Sequence, residues 1–251
     1  EVYEQCAGGH TGRECLEFLE SARRMWERSG NLARMVDAAE RQVSIERSGE
    51  TLFRLAEALQ ARGEFPRAIE TYQEAARHHE DEGRRVEARA EMARIHLVRR
   101  EFKAAAELLS QIDSRGLDRL PTRVKAKVQI AQASSLLLAR DVDAGIRMLD
   151  EAIRTARKMH DSLLEWSAWH TAVHIHSYPN PRHYEVERYL RNAIKVAVKA
   201  GLHFVRAVST GALASLADVR GLTALALRRK RMCLELALQA GSWNRAGQFA
   251  F

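Results

Sequence analysis

An all-α chain built as an array of helix pairs is what three observations in the sequence predict. Ala, Leu, Arg and Glu dominate the 251 residues, Pro totals only four, and no strand-like alternation persists. A helix–break–helix pattern recurs at a step of about forty residues, the signature of a repeat architecture. Small residues recur at fixed places within that step, as helices require if they are to cross closely at a repeated angle.

In chain order, residues 1–10 read as a flexible lead-in. The stretch Gly8-Gly9-His10-Thr11-Gly12 has neither the Lys nor the preceding strand that a phosphate-binding loop needs. Residues 11–48 read as one diverged helical pair turning at Ser29-Gly30-Asn31. The repeat array occupies residues 49–241. Its clearest unit is "LFRLAEALQARGEFPRAIETYQEAARHHEDEG", in which Leu52, Leu55, Ala56 and Leu59 form one helical stripe. Phe65, Ala68, Ile69, Tyr72, Ala75 and Ala76 form the next, and Gly63 suits the left-handed position that ends the first helix. Phe65, Phe102, Val142, His183 and Thr223 hold equivalent places, at steps of 37, 40, 41 and 40 residues. In that frame a small residue falls inside each first helix at Ala56, Ala93, Ala133 and Ala214, and His174 takes the place in the fourth unit. Others fall early in each second helix (Ala68, Ala105, Gly145, Ala226) and near its end (Ala75, Ala152, Ala193, Cys233). Breaks between units recur at "EDEGR", "KMHDS", "KAGLH" and "QAGSW". Residues 242–251, from Trp243 on, read as the start of a further, truncated helix; the lack of an initiating Met suggests an excised segment of a longer polypeptide.

Composition bounds the function. No apolar run approaches the roughly 20 residues that span a bilayer, and the polar start lacks the apolar core of a signal peptide. Three cysteines, Cys6, Cys15 and Cys233, match no zinc or redox spacing, so a reducing, cytoplasmic setting is expected. The net charge of +7 arises from 40 basic residues interleaved with 33 acidic ones. Only "LRRKRM" (Leu227–Met232) is densely basic, and it reads first as a solvated helix face.

No motif for nucleophilic, metal-dependent or nucleotide chemistry is present, so neither catalytic residues nor a metal nor a cofactor is expected. The nearest candidate is "HTAVHIHSYPNPRHY". His170 and His174 stand i,i+4, which on one helix face suits a zinc pair, yet a metal site wants a third ligand and partners that orient the imidazoles. In the repeat frame both face a neighbouring helix, which favours packing. Pro179 and Pro181 force an extended link where other units turn tightly, so that Tyr178 and Asn180 are expected to project as a contact point.

The pattern of a large apolar residue, Leu, a small residue, then Ala, an aromatic and Ala in "LFRLAEALQARGEFPRAIETYQEA" resembles the tetratricopeptide repeat. The longer unit is similar to the extended repeats of maltose-regulator-like signalling proteins. That resemblance implies a right-handed α-solenoid whose first helices line a concave face. Carried over by position, the wall comprises Phe53, Glu57, Gln60, Arg94, Leu97, Ile130, Ser134, Leu137, Thr171, Ile175, Tyr178, Ser215 and Asp218. Such a wall fits a protein or peptide partner, including another domain of the same polypeptide; alternatively these residues simply pack within long repeats. The co-chaperone branch of the family clamps a terminal carboxylate with Lys and Asn, where this chain has Phe53 and Glu57. The expected function is therefore a non-enzymatic interaction or sensor module of a larger bacterial regulator, without membrane contact. Nucleic-acid binding through "LRRKRM" and "RTARK", or a scaffold attached to an enzyme, is the alternative.

Overall fold

The computed structural model describes residues 12–112, 117–177 and 182–239. Among them twelve α-helices stack in antiparallel pairs: α1 (Arg13–Ser29) and α2 (Leu32–Ile45), α3 (Gly49–Arg62) and α4 (Phe65–His78), α5 (Glu82–Val98) and α6 (Phe102–Ser110). They continue with α7 (Thr122–Leu138) and α8 (Val142–Lys158), α9 (Ser162–Thr171) and α10 (His183–Lys199), then α11 (His203–Val219) and α12 (Thr223–Gln239). Phe65, Phe102, Val142, His183 and Thr223 are the first residues of α4, α6, α8, α10 and α12. The expected lead-in and the expected terminal helix lie outside the described residues. Among those described, no helix is long and apolar enough to cross a membrane.

The small residues explain why the pairs close. Ala56, Ala93, Ala133 and Ala214 are at most 1% exposed, as are Ala68, Ala105 and Ala226 and, at the far ends, Ala75, Ala152, Ala193 and Cys233. Each sits where a neighbouring helix crosses, and any larger side chain there would hold the backbones apart. Gly145 marks a tight crossing: a Cβ built on it would lie 2.7–2.8 Å from the Leu137 side chain and 3.3 Å from the Ala133 carbonyl oxygen. We expect Gly145→Ala to destabilise the chain by about 1–2 kcal/mol, overpacking outweighing the better helix propensity of Ala. Urea denaturation reads this directly, and unchanged stability would show that Leu137 swings aside at no cost.

Outside α9 and α10, whose link is only partly described, each pair turns through a left-handed residue. Gly30, Gly63 and Gly221 supply it at φ 79°, 86° and 71°. Arg100 and Arg140 occupy the equivalent turns after α5 and α7 at φ 62° and 72°, although a side chain disfavours that conformation by roughly 1–2 kcal/mol. The fourth unit departs from the frame. Here α9 stops at Thr171, and a tighter 3-10 turn runs over Ala172–Ser177. Ala172 is therefore the fully buried small residue of this unit, and His174 is only half-buried. The expectation that His170 and His174 share one α-helical face is corrected accordingly.

Successive pairs wind until the array meets its own start. Phe204, at the beginning of α11, packs against the core built from α2, α3, α4 and α5 (Leu32, Phe53, Tyr72 and Met92 among others). Ala200 and Leu202, in the turn before it, face the same cavity as Glu20 and Arg23 of α1. The first helices of the pairs, α1, α3, α5, α7 and α9, thus present one side to a shared inner face.

Candidate functional site

The interior is polar because the first helices carry charged residues at helical spacing on the side that turns inward. Ser48 starts α3 with reciprocal capping: its Oγ accepts from Thr51 N–H, and its own N–H donates to Thr51 Oγ1. That start sets Glu50, Arg54, Glu57 and Gln60 on one stripe. In α5, capped by Asp81, the stripe is Arg84, Glu87, Glu91 and Arg94; in α7 it is Arg123 and Lys127.

These stripes interlock. Lys127 is buried, and its Nζ lies 2.7 Å from Glu87, 3.1 Å from Glu91 and 3.3 Å from Glu57. Glu87, 1% exposed, also receives Arg84 (2.9 Å) and Arg123 (3.2 Å). Glu91 receives Arg94 (3.1 Å) and Gln60 Nε2 (3.3 Å), and Gln60 accepts from the buried Tyr72 hydroxyl (2.7 Å). Arg94 continues to Ser167 Oγ on α9 (2.9 Å), while Arg123 reaches Asp161, the residue that caps α9 (2.9 Å). Phe53 lies under this network, with the Arg84 guanidinium 5.2 Å and the Lys127 ammonium 5.6 Å from its ring centre.

The electrostatics follow from the pairing. Burial alone would raise the Glu91 carboxyl, but the charges of Lys127 and Arg94 and the hydrogen bonds from Lys127 and Gln60 outweigh it and hold the group at about 2. Burial likewise opposes ionisation of Lys127, and the surrounding Glu91, Glu57 and Glu87 more than reverse this, raising its pKa. At the rim, burial pushes Glu20 up, while Arg23, Arg24 and Arg54 bring it down to about 2. Glu91, Glu20 and Lys127 are therefore ionised at neutral pH.

Two cavities open along the first helices. One, of about 660 Å³, lies at their N-terminal ends, with Glu20, Glu50, Glu57 and Asp161 facing Arg23, Arg54, Arg84 and Arg123. It is balanced in charge and suits a polypeptide backbone with mixed side chains. The other, of about 540 Å³, lies at their C-terminal ends between Gln60, Arg94, Ser134 and Thr171.

The structure distributes the residues expected from the sequence. Phe53 and Glu57 line the first cavity; Gln60, Arg94, Leu97, Ser134 and Thr171 line the second. Ile130 and Leu137 are fully buried in the core between α7, α8, α9 and α10, so they are packing residues and form no part of an open wall. Ser215 and Asp218 are exposed and line neither cavity; Asp218 pairs with Lys230 at 2.7 Å. Tyr178 lies outside the described residues, and of Ile175 only the backbone is described. His170 stacks on Trp166 with ring centres 5.1 Å apart and meets Ser209 Oγ at 3.2 Å. Among the described residues no group of three His, Cys, Asp or Glu side chains could hold a metal ion. The sequence reading passed over Arg84, Glu87, Glu91, Arg123 and Lys127. Their signal was present: Arg84, Glu87, Glu91 and Arg94 recur at 3, 4 and 3 residues, a charged stripe on a helix that must be covered on most sides.

No family model matches the chain, and no curated protein matches it either. Among solved structures, a Rap protein complexed with competence and sporulation factor superposes with a TM-score of 0.71 over 98% of this chain and 72% of its own, at 15% identity. A signal-transduction ATPase with numerous domains and a tetratricopeptide-repeat sensor, from Pyrococcus horikoshii, is similar at a TM-score of 0.42 and 17% identity, over 95% of this chain and 42% of its own. With the helix pairs described above, the first of these likenesses places the chain in the tetratricopeptide-like helical-repeat fold.

Proposed function

We propose that the chain is a protein-interaction module that takes an extended peptide segment along the inner stripe of its first helices. The observation that carries this reading is the open, charge-balanced cavity into which four successive first helices direct both acceptors and donors. The likeness to a Rap protein complexed with competence and sporulation factor supports it. A 17-residue first helix is about 25 Å long, a span that an extended peptide of about eight residues covers at 3.3 Å each. The maltose-regulator resemblance adds the further proposal that an attached signalling domain reads the occupied state, which the flanking sequence of the full-length protein tests.

Selection of random peptides of about eight residues on the immobilised chain tests the groove. We expect binders to converge on a sequence pattern and to lose about tenfold in affinity, or 1.4 kcal/mol, when Glu57→Gln removes a charge from the first cavity. Lys127 keeps Glu87 and Glu91 in that variant, so the fold is retained. Selection without convergence, or convergent binders indifferent to Glu57→Gln, overturns the reading. Nucleic acid is disfavoured as the partner because two cations of "LRRKRM" are engaged: Arg229 with Glu187 at 3.3 Å and Lys230 with Asp218 at 2.7 Å.

A further inference from the structure

The second cavity differs in charge from the first. His170 and His174 contribute imidazoles to its lining, its charged lining is Arg94, Arg100 and Arg140, and no described carboxylate lines it. Beside these cations, Phe102 and Val98 also line it and are about half exposed. A cationic mouth with an apolar shelf is the complement of an acidic side chain next to an apolar one.

The backbone adds an independent observation. Of the four described turns that follow α3, α5, α7 and α11, the first and last use Gly63 and Gly221 in the left-handed region. The middle two use Arg100 and Arg140, at φ 62° and 72°, and both arginines line this one cavity. A cation near a helix C-terminus is favourable in its own right, but that benefit does not require the strained residue itself to be the arginine. His160, at φ 55°, is the third described non-glycine residue in this region and lines the first cavity; the two arginines are the ones that meet at the second.

We propose that this cavity is the anionic subsite of the groove, binding an acidic peptide through Arg100 and Arg140 while the neighbouring apolar side chain of that peptide lies on Phe102 and Val98. The proposal rests on the peptide-binding reading above and specifies its ligand: the segment is acidic at the end that reaches the C-terminal ends of the first helices. Arg94, tied to Glu91 and Ser167, marks where the subsite joins the rest of the groove.

The test measures the selected peptides by fluorescence anisotropy on the wild-type chain and on the double variant Arg100→Gly, Arg140→Gly. Glycine adopts these φ values without strain, and a melting curve with a single cooperative transition establishes that the variant is folded before affinities are compared. We expect the selected peptides to place Asp or Glu beside a large apolar residue and to bind the variant about tenfold or more weakly. Neutralising the acidic residue of the peptide to Asn or Gln should cost the same factor on wild type and little further on the variant, the mark of a direct pair. Binders without acidic enrichment, or equal affinity for both proteins, overturn this proposal. Binders that require Glu57 but ignore both arginines overturn it while leaving the groove in place; failure to select any binder defeats the groove and the subsite together.

Discussion

Lys127→Ala is expected to cost about 3–5 kcal/mol of stability, lowering the melting midpoint by on the order of 10 °C. Its ammonium is the cation shared by Glu57, Glu87 and Glu91, and two of those carboxylates are almost completely buried. Removing a partner from a buried ionic cluster leaves charge that neither water nor protein solvates, which costs more than the pair contributed. The effect carries a pH signature. In the wild type Glu91 titrates at about 2, below its ordinary value of 4.5. The stability that this depressed value represents is complete above about 4.5 and is lost as pH falls through about 2. In Lys127→Ala burial is left less opposed, so the Glu91 pKa rises and protonation relieves the variant. The stability gap between the two proteins should therefore narrow as pH falls below about 4.5. A constant gap across that range would place the loss in packing around the lysine stem, not in charge. A loss under about 1 kcal/mol would show that Arg84, Arg94 and Arg123 suffice for the glutamates.

The fold was legible because repetition averages out local noise. A single Phe–Ala pair says little, but five helix starts in one register, each with small residues at the same offsets, admit few architectures. The register failed in the fourth unit, where the α-helix ends at Thr171 and a tighter turn follows, so that Ala172 takes the buried place assigned to His174. Hydrophobic periodicity places apolar faces and does not register a change from 3.6 to 3.0 residues per turn at a helix end. Closure of the array on itself was also invisible, since Phe204 meets its partners from more than a hundred residues away in the sequence.

The inner stripe was only half legible, and the reason lies in which residues count as wall. Positional transfer selected Phe53, Glu57, Gln60 and Arg94 but continued along α7 with Ile130 and Leu137. In α5 and α7 apolar and charged residues both surround the helix, because each is covered by its own partner and by the first helices before and after it. No clean apolar stripe then exists from which an opposite, open face could be inferred. Three of the charges on α5 and α7, Glu87, Glu91 and Lys127, are each less than 7% exposed. Burial became affordable for them only through partners on neighbouring repeats, information that no single helix contains.

Leu137 separates the two roles by experiment. Placed on the wall by position, it is instead fully buried between α7 and α8, its side chain against the backbone of Gly145. Leu137→Ala is expected to cost about 2–5 kcal/mol, because the surrounding helices cannot collapse onto the space it leaves. Affinity of the folded fraction for a selected peptide should not change. The companion variant Gly145→Ala sharpens the prediction, since its methyl group points into the volume that Leu137 vacates. Combined, the two substitutions should destabilise by less than the sum of their separate effects, with a coupling of about 1 kcal/mol or more. Equilibrium denaturation of the four proteins in the cycle measures this. Strict additivity would mean that α7 and α8 do not meet at this crossing. Retained stability with lost peptide affinity would return Leu137 to the concave wall and shift the register of α7 relative to the groove.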